Sequence, residues 1–218
     1  MTETMKPKAL IFDWDNTLVD SWPVIHDALN TTYRAYGLRE WTLEETRANV
    51  RESVRDRFPQ IFGKDWKAAA DVFYKRYDEI HTDAIKPTNG AAEMLAALSE
   101  AGFYLGVVSN KRGDYLRAEA GQLGWDVHFS AIIGALDAER DKPDPAPVHM
   151  ALAPGEYTPG SHVWFIGDAD IDLNCAANAG CVPVLLRETP PGANEFQIQP
   201  PVHHFAGCQP LCNFLQTM

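Results

Sequence analysis

The segment Asp13-Trp14-Asp15-Asn16-Thr17 sets two carboxylates two positions apart, directly after the apolar run 8–12. Side chains alternate along an extended chain, so Asp13 and Asp15 share one side of it. Converging carboxylates repel each other, and a divalent cation relieves the repulsion. Mg²⁺ suits carboxylate, carbonyl and water ligands, above all beside a substrate phosphate. Gly167-Asp168-Ala169-Asp170-Ile171-Asp172 follows a second apolar run, 162–166, and supplies further acids. Ser109-Asn110 ends a third run, 104–108. A hydroxyl and backbone N–H groups there can hold a phosphoryl oxygen. Lys142-Pro143-Asp144-Pro145 fixes a lysine beside rigid prolines, where it can neutralise phosphate charge. Each segment also has a plainer reading: an acidic surface turn, helix N-caps at the Asp and Ser positions, and a solvated loop lysine. Asp170 is expected to be an N-cap, while Asp168 sits at the strand tip and aims into the crevice.

The elements that position these groups follow from the same runs. Short apolar runs that stop at acids or turn residues read as buried strands of a parallel sheet. Residues 182–186 are a fourth such run and residues 131–133 a weaker fifth, with Pro183 marking an edge or early-strand position. Helical spacing covers 91–99, 115–123 and 170–179, stopped by Gly102, Gly124 and Gly180. The alternation predicts an α/β fold, a Rossmann-like open parallel sheet flanked by helices, with its ligand crevice at the carboxyl ends of the strands. Residues 21–85 break the alternation. They read as helices over 23–36, 43–58 and 66–81, the second opened by a Thr42-Leu-Glu-Glu45 capping box and ended by Pro59 and Gly63. The expected organisation is a discontinuous core domain, 1–20 and 86–218, carrying an inserted α-helical domain, 21–85.

Composition limits the partners. Among 218 residues, 19 are basic and 30 acidic, a net charge of −11, which disfavours nucleic acid. Hydrophobic residues at 45% and charged residues at 22% fit an ordinary globular protein. No stretch approaches the ~18 apolar residues of a membrane span. Lys6 and Lys8 precede only a short apolar run that meets Asp13, so no signal peptide is expected. Cys175, Cys181, Cys208 and Cys212 are then expected to be reduced thiols in a cytoplasmic protein.

Taken in order, four segments resemble the motifs of haloacid dehalogenase (HAD) superfamily hydrolases with a small helical cap, nearest to the phosphoglycolate phosphatase-like branch. They are Phe12-Asp13-Trp14-Asp15-Asn16-Thr17-Leu18, Val107-Val108-Ser109-Asn110-Lys111, Lys142-Pro143-Asp144-Pro145, and Ile166-Gly167-Asp168 with Asp172, Ala176, Ala179 and Gly180. The family usually has Phe or Leu at Trp14, and often Gly or Ser at Asn16. The resemblance implies that Asp13 is the nucleophile forming an aspartyl-phosphate and that Asp15 is the general acid and base. It implies Mg²⁺ held by the Asp13 carboxylate, the Asp15 carbonyl and Asp168, with Asp172 supporting. It also implies a phosphoryl group bound by Thr17, Ser109, Asn110 and Lys142.

The cap in this family selects the leaving group. Arg47, Arg51 and Arg55 recur every four residues, which predicts one basic stripe on the second cap helix. Arg51 or Arg55 then contacts an anionic leaving group, unless the stripe is a solvated face paired with Glu44, Glu52 and Asp56. The expected activity is hydrolysis of a small phosphorylated metabolite of phosphoglycolate type, by a monomer or homodimer. A phosphomutase of the same family and a non-enzymatic HAD-like binding protein are the alternatives. His203-His204 with Cys208 and Cys212 has zinc-like spacing. The resemblance instead makes 203–205 a last strand and puts both cysteines on the last helix.

Overall fold

The computed structural model describes residues 6–218. Residues 1–5, assigned above to the first domain, lie outside the described residues. In chain order the elements are β1 (Ala9–Phe12), β2 (Val19–Asp20), α1 (Trp22–Ala35), α2 (Leu43–Asn49), α3 (Val54–Phe62), α4 (Trp66–Ala84), β3 (Lys86–Pro87), α5 (Ala91–Glu100), β4 (Tyr104–Arg112), α6 (Gly113–Gln122), β5 (Ala131–Ala135), α7 (Ala146–Leu152), β6 (Val163–Gly167), α8 (Asp170–Ala179), β7 (Val182–Leu186), β8 (His203–Phe205) and α9 (Cys208–Thr217). The chain divides into two compact units, one made of the chain up to Val19 and from Pro87 onward, the other of Asp20–Lys86.

The first unit is built on a six-stranded sheet of order β5-β4-β1-β6-β7-β8 with parallel pairing. All four β1 residues are fully buried, as an apolar strand covered on both faces must be. Ala9 lies opposite Tyr104 of β4 on one side and Val163 of β6 on the other. The sheet therefore grows from β1 in both directions, and the crevice of such a sheet opens where that direction changes. Where the chain returns to this unit, Thr88 donates its N–H to the Leu18 carbonyl and its hydroxyl to the Thr17 carbonyl.

Three details differ from the sequence reading. The strand read as 104–108 continues to Arg112 with a register shift after Val108, so Ser109 lies inside β4 and caps no helix. β7 is an internal strand and not an edge, although Pro183 does stand early in it, in its second position, ahead of the first β8 pair at Val184 and His203. The N-cap of α8 is Ala169, and Asp170 is the first helical residue. Asp172 takes over the cap's N–H, accepting from Ala169 N at 3.1 Å. Gly180 ends α8 at φ 77°, a left-handed position that glycine adopts without strain.

The second unit is helical. Its aromatic side chains meet edge to face, Tyr33 on Trp41 at 5.2 Å and Phe58 on Phe73 at 5.6 Å between ring centres. Thr42 and Glu45 form the capping box that opens α2. The helix expected over 43–58 is broken. α2 stops at Asn49, Val50 turns extended, and the buried Ser53 caps α3 by accepting from Asp56 N. Pro59 lies inside α3, which ends at Gly63.

Candidate active site

β1, β4 and β6 are the neighbouring central strands; Asp13 and Asp168 directly follow β1 and β6, and Ser109 stands just past the register shift in β4, at the same edge of the sheet. Oxygens of Asp13, Asp168 and Asp172 all lie within 4.8 Å of one another. Asp172 reaches the group from α8, because Gly167 leaves room for it. A Cβ on Gly167 would stand 2.3 Å from Asp172 Cγ. The loop before α7 brings Lys142 to the same point. Its Nζ lies 2.6 Å from Asp13 Oδ1 and 2.7 Å from Asp172 Oδ1, with all three side chains buried.

Burial pushes the Asp13 carboxyl up to about 7, and the Asp172 and Asp15 charges add to the rise while Lys142 opposes it. Burial pulls the Lys142 ammonium down, but Asp13 and Asp172 more than offset this and hold it above its ordinary value. The donor set is hard, close and anionic, which fits a small divalent cation with oxygen ligands. Among the described residues this is the cluster that could hold a metal. No such group forms at the carboxyl end of the chain. His203 stacks on Trp164 at 4.7 Å, while Cys208 and Cys212 are buried on α9.

The remaining predicted residues fall into three groups. Thr17 is buried and donates its hydroxyl to Asp13 Oδ2 at 3.2 Å, and Ser109 Oγ accepts from Lys111 N at 3.1 Å. Asn110 spends both ends of its side chain on the main chain of Lys142, accepting from its N–H at 2.9 Å and donating to its carbonyl at 3.1 Å. Its side chain therefore holds the lysine loop. The Asp15 carboxylate stands apart from the acidic cluster. Its Oδ1 lies 2.7 Å from Lys111 Nζ, an ion pair without hydrogen-bond alignment.

The arginine stripe does not form, because the chain breaks between α2 and α3. Arg47 lies on α2, Arg55 on α3, and Arg51 in the connection. There Arg51 Nη1 donates to the carbonyls of Arg47 and Val50. Ser53-Val54-Arg55-Asp56 is the local signal of this break, an N-cap serine followed three residues later by an acid.

Sequence reasoning left two site residues without a role. In the sequence Lys111 stands out only as part of a motif. Glu119 belongs to no motif, yet its carboxylate meets Lys111 Nζ at 2.5 Å and accepts from Trp14 Nε1 at 2.8 Å. The one signal for Glu119 is an acid on the apolar face of α6, beside Tyr115, Leu116 and Ala120.

Comparison with known proteins points the same way. A family model described as haloacid dehalogenase-like hydrolase matches residues 10–185. The chain is 30% identical over 178 residues to a phosphoglycolate phosphatase of Xanthomonas campestris, covering 80% of each. It is 29% identical over 188 residues to an N-acetylmuramic acid 6-phosphate phosphatase of Pseudomonas aeruginosa, covering 84% of this chain and 83% of that protein. A crystal structure of a predicted phosphoglycolate phosphatase from Haemophilus somnus superposes with a TM-score of 0.82 over 96% of this chain and 98% of the other, at 22% identity, a likeness of fold.

Proposed function

Because the chain belongs to the haloacid dehalogenase-like hydrolase family, we propose that it is a Mg²⁺-dependent phosphatase of small phosphorylated metabolites. The reading rests above all on one observation, the buried meeting of Asp13, Asp168 and Asp172 with Lys142. Relatives named as phosphatases support the reaction type, and their different substrates leave the leaving group open.

Asp13 attacks phosphorus in line. The new P–O bond forms to its carboxylate as the bond to the leaving oxygen breaks. Asp15 gives its proton to that leaving oxygen, then takes one from the water that attacks the aspartyl-phosphate. The P–O bond to Asp13 breaks, free phosphate leaves, and the Asp13 carboxylate is restored. Lys142, Thr17 and Ser109 hold the phosphoryl oxygens and balance charge, which is the main demand of phosphoryl transfer. Asn110 acts behind them by fixing the Lys142 loop. The Asp13 carboxylate, the Asp15 carbonyl, Asp168 and Asp172 are the groups that would hold Mg²⁺. When bound, the ion supplies neutralisation of the phosphoryl charge. Leaving-group selection is assigned to the helical unit, with Arg51 and Arg55 as the anion contacts to test first. The chain is further read as a cytoplasmic monomer or homodimer.

The test is phosphate release from phosphoglycolate, N-acetylmuramic acid 6-phosphate and p-nitrophenyl phosphate, with Mg²⁺ and with EDTA. The reading requires turnover that EDTA removes and Mg²⁺ restores. No turnover of any phosphomonoester would leave a binding protein instead.

A further inference from the structure

We infer that Lys111 is a positioning residue for Asp15, held in place by Glu119 and Trp14 behind it. The inference rests on the acid–base reading of Asp15 proposed above.

Glu119 is nearly fully buried on the core face of α6, and a charge there is costly unless it is paired. Its partners include Lys111 Nζ and the indole N–H of Trp14. Trp14 is fully buried and packs edge to face on Trp125 and Phe129, at 5.7 and 6.5 Å between ring centres. The indole therefore cannot swing away, and it fixes the Glu119 carboxylate. Glu119 then fixes one side of the Lys111 ammonium, and the other side faces Asp15 Oδ1 at 2.7 Å.

Asp15 is the more open end of this chain of contacts, with its side chain 19% exposed against 4% for Lys111 and 1% for Glu119. The network thus starts in the core and ends at the carboxylate that has to face the leaving oxygen. It also accounts for Trp14. A phenyl or isobutyl side chain at this position would have no N–H to give Glu119, so the indole and the buried acid belong together in this chain.

The test is a double-substitution cycle. Lys111→Met and Lys111→Met/Glu119→Gln are each made with and without Asp15→Asn. The paired variant leaves no buried carboxylate without its ammonium, so it keeps the test valid if Lys111→Met folds poorly. Misplacing a catalytic group by about an ångström costs roughly 10²-fold. The expected loss in kcat on an alkyl phosphate is therefore roughly 10- to 100-fold, with KM changed little. The loss on p-nitrophenyl phosphate, whose leaving group needs no proton, is smaller. In the Asp15→Asn background the same Lys111 changes cost less than about twofold, because the group they act through is already gone. A full loss repeated in that background would overturn the inference, and so would equal loss on both leaving groups. If Asp15→Asn alone treats the two leaving groups alike, the acid–base reading falls. The coupling of the two substitutions still decides whether Lys111 acts through Asp15.

Discussion

Asp13 sits under opposing influences, and their balance is measurable. Unfolded, its carboxyl titrates near 3.8, while burial and the neighbouring acids push the folded value up to about 7. Between those pH values the native state holds a proton that the unfolded chain has released. The residue's contribution to stability therefore falls as pH rises through the window and is lowest above it. Asp13→Asn removes that penalty and leaves Lys142 its bond to Asp172. In metal-free buffer at pH 8 the variant is expected to melt above the parent, with the gap closing as pH falls toward 4. Thermal unfolding across that range checks it, and a variant less stable than the parent at pH 8 contradicts it. Asp13 and Asp168 were legible in the sequence because each directly follows an apolar run, and strand ends of a parallel sheet converge, whereas Asp172 lies on α8 and was indicated only by the family resemblance. Glu119 was not legible, because its partner Trp14 lies 105 positions away and only packing joins them.

At the scale of elements, the break between α2 and α3 is the clearest departure from the periodicity. Arg47, Arg51 and Arg55 keep helical spacing straight through a segment whose backbone turns extended at Val50. Spacing alone did not reveal that Ser53 starts a new helix. Ser53→Ala removes the cap and is expected to cost about 1 kcal/mol in denaturant unfolding. Were the segment one continuous helix, alanine, the better helix former, would stabilise the protein instead. A close fit between elements occurs at β6 against α8, where Gly167 admits Asp172. Gly167→Ala is expected to displace that carboxylate and raise the Mg²⁺ concentration for half-maximal activity by roughly tenfold or more. A metal titration of activity reads this directly, and an unchanged midpoint would remove Asp172 from the metal's support.

At the scale of the molecule, the parallel α/β sheet was legible because five of its six strands begin as apolar runs, β8 with its two histidines being the exception, while the strand order was not. Order depends on side-to-side pairing, and a run such as 182–186 looks the same at an edge as it does inside. Metal binding provides a whole-molecule check. A ligand bound only by the folded state at a hundred times its Kd adds about 2.7 kcal/mol. Mg²⁺ is therefore expected to raise the melting temperature by several degrees, and Asp168→Asn to lose most of that rise. The most direct measurement is of the covalent step itself. The protein is acid-quenched during turnover with Mg²⁺ and substrate, and its peptides are weighed. The account predicts one added phosphoryl group, located on Asp13 and missing from Asp13→Asn, which also loses nearly all turnover. A phosphoryl group on another residue, or near-normal turnover by Asp13→Asn, would contradict it.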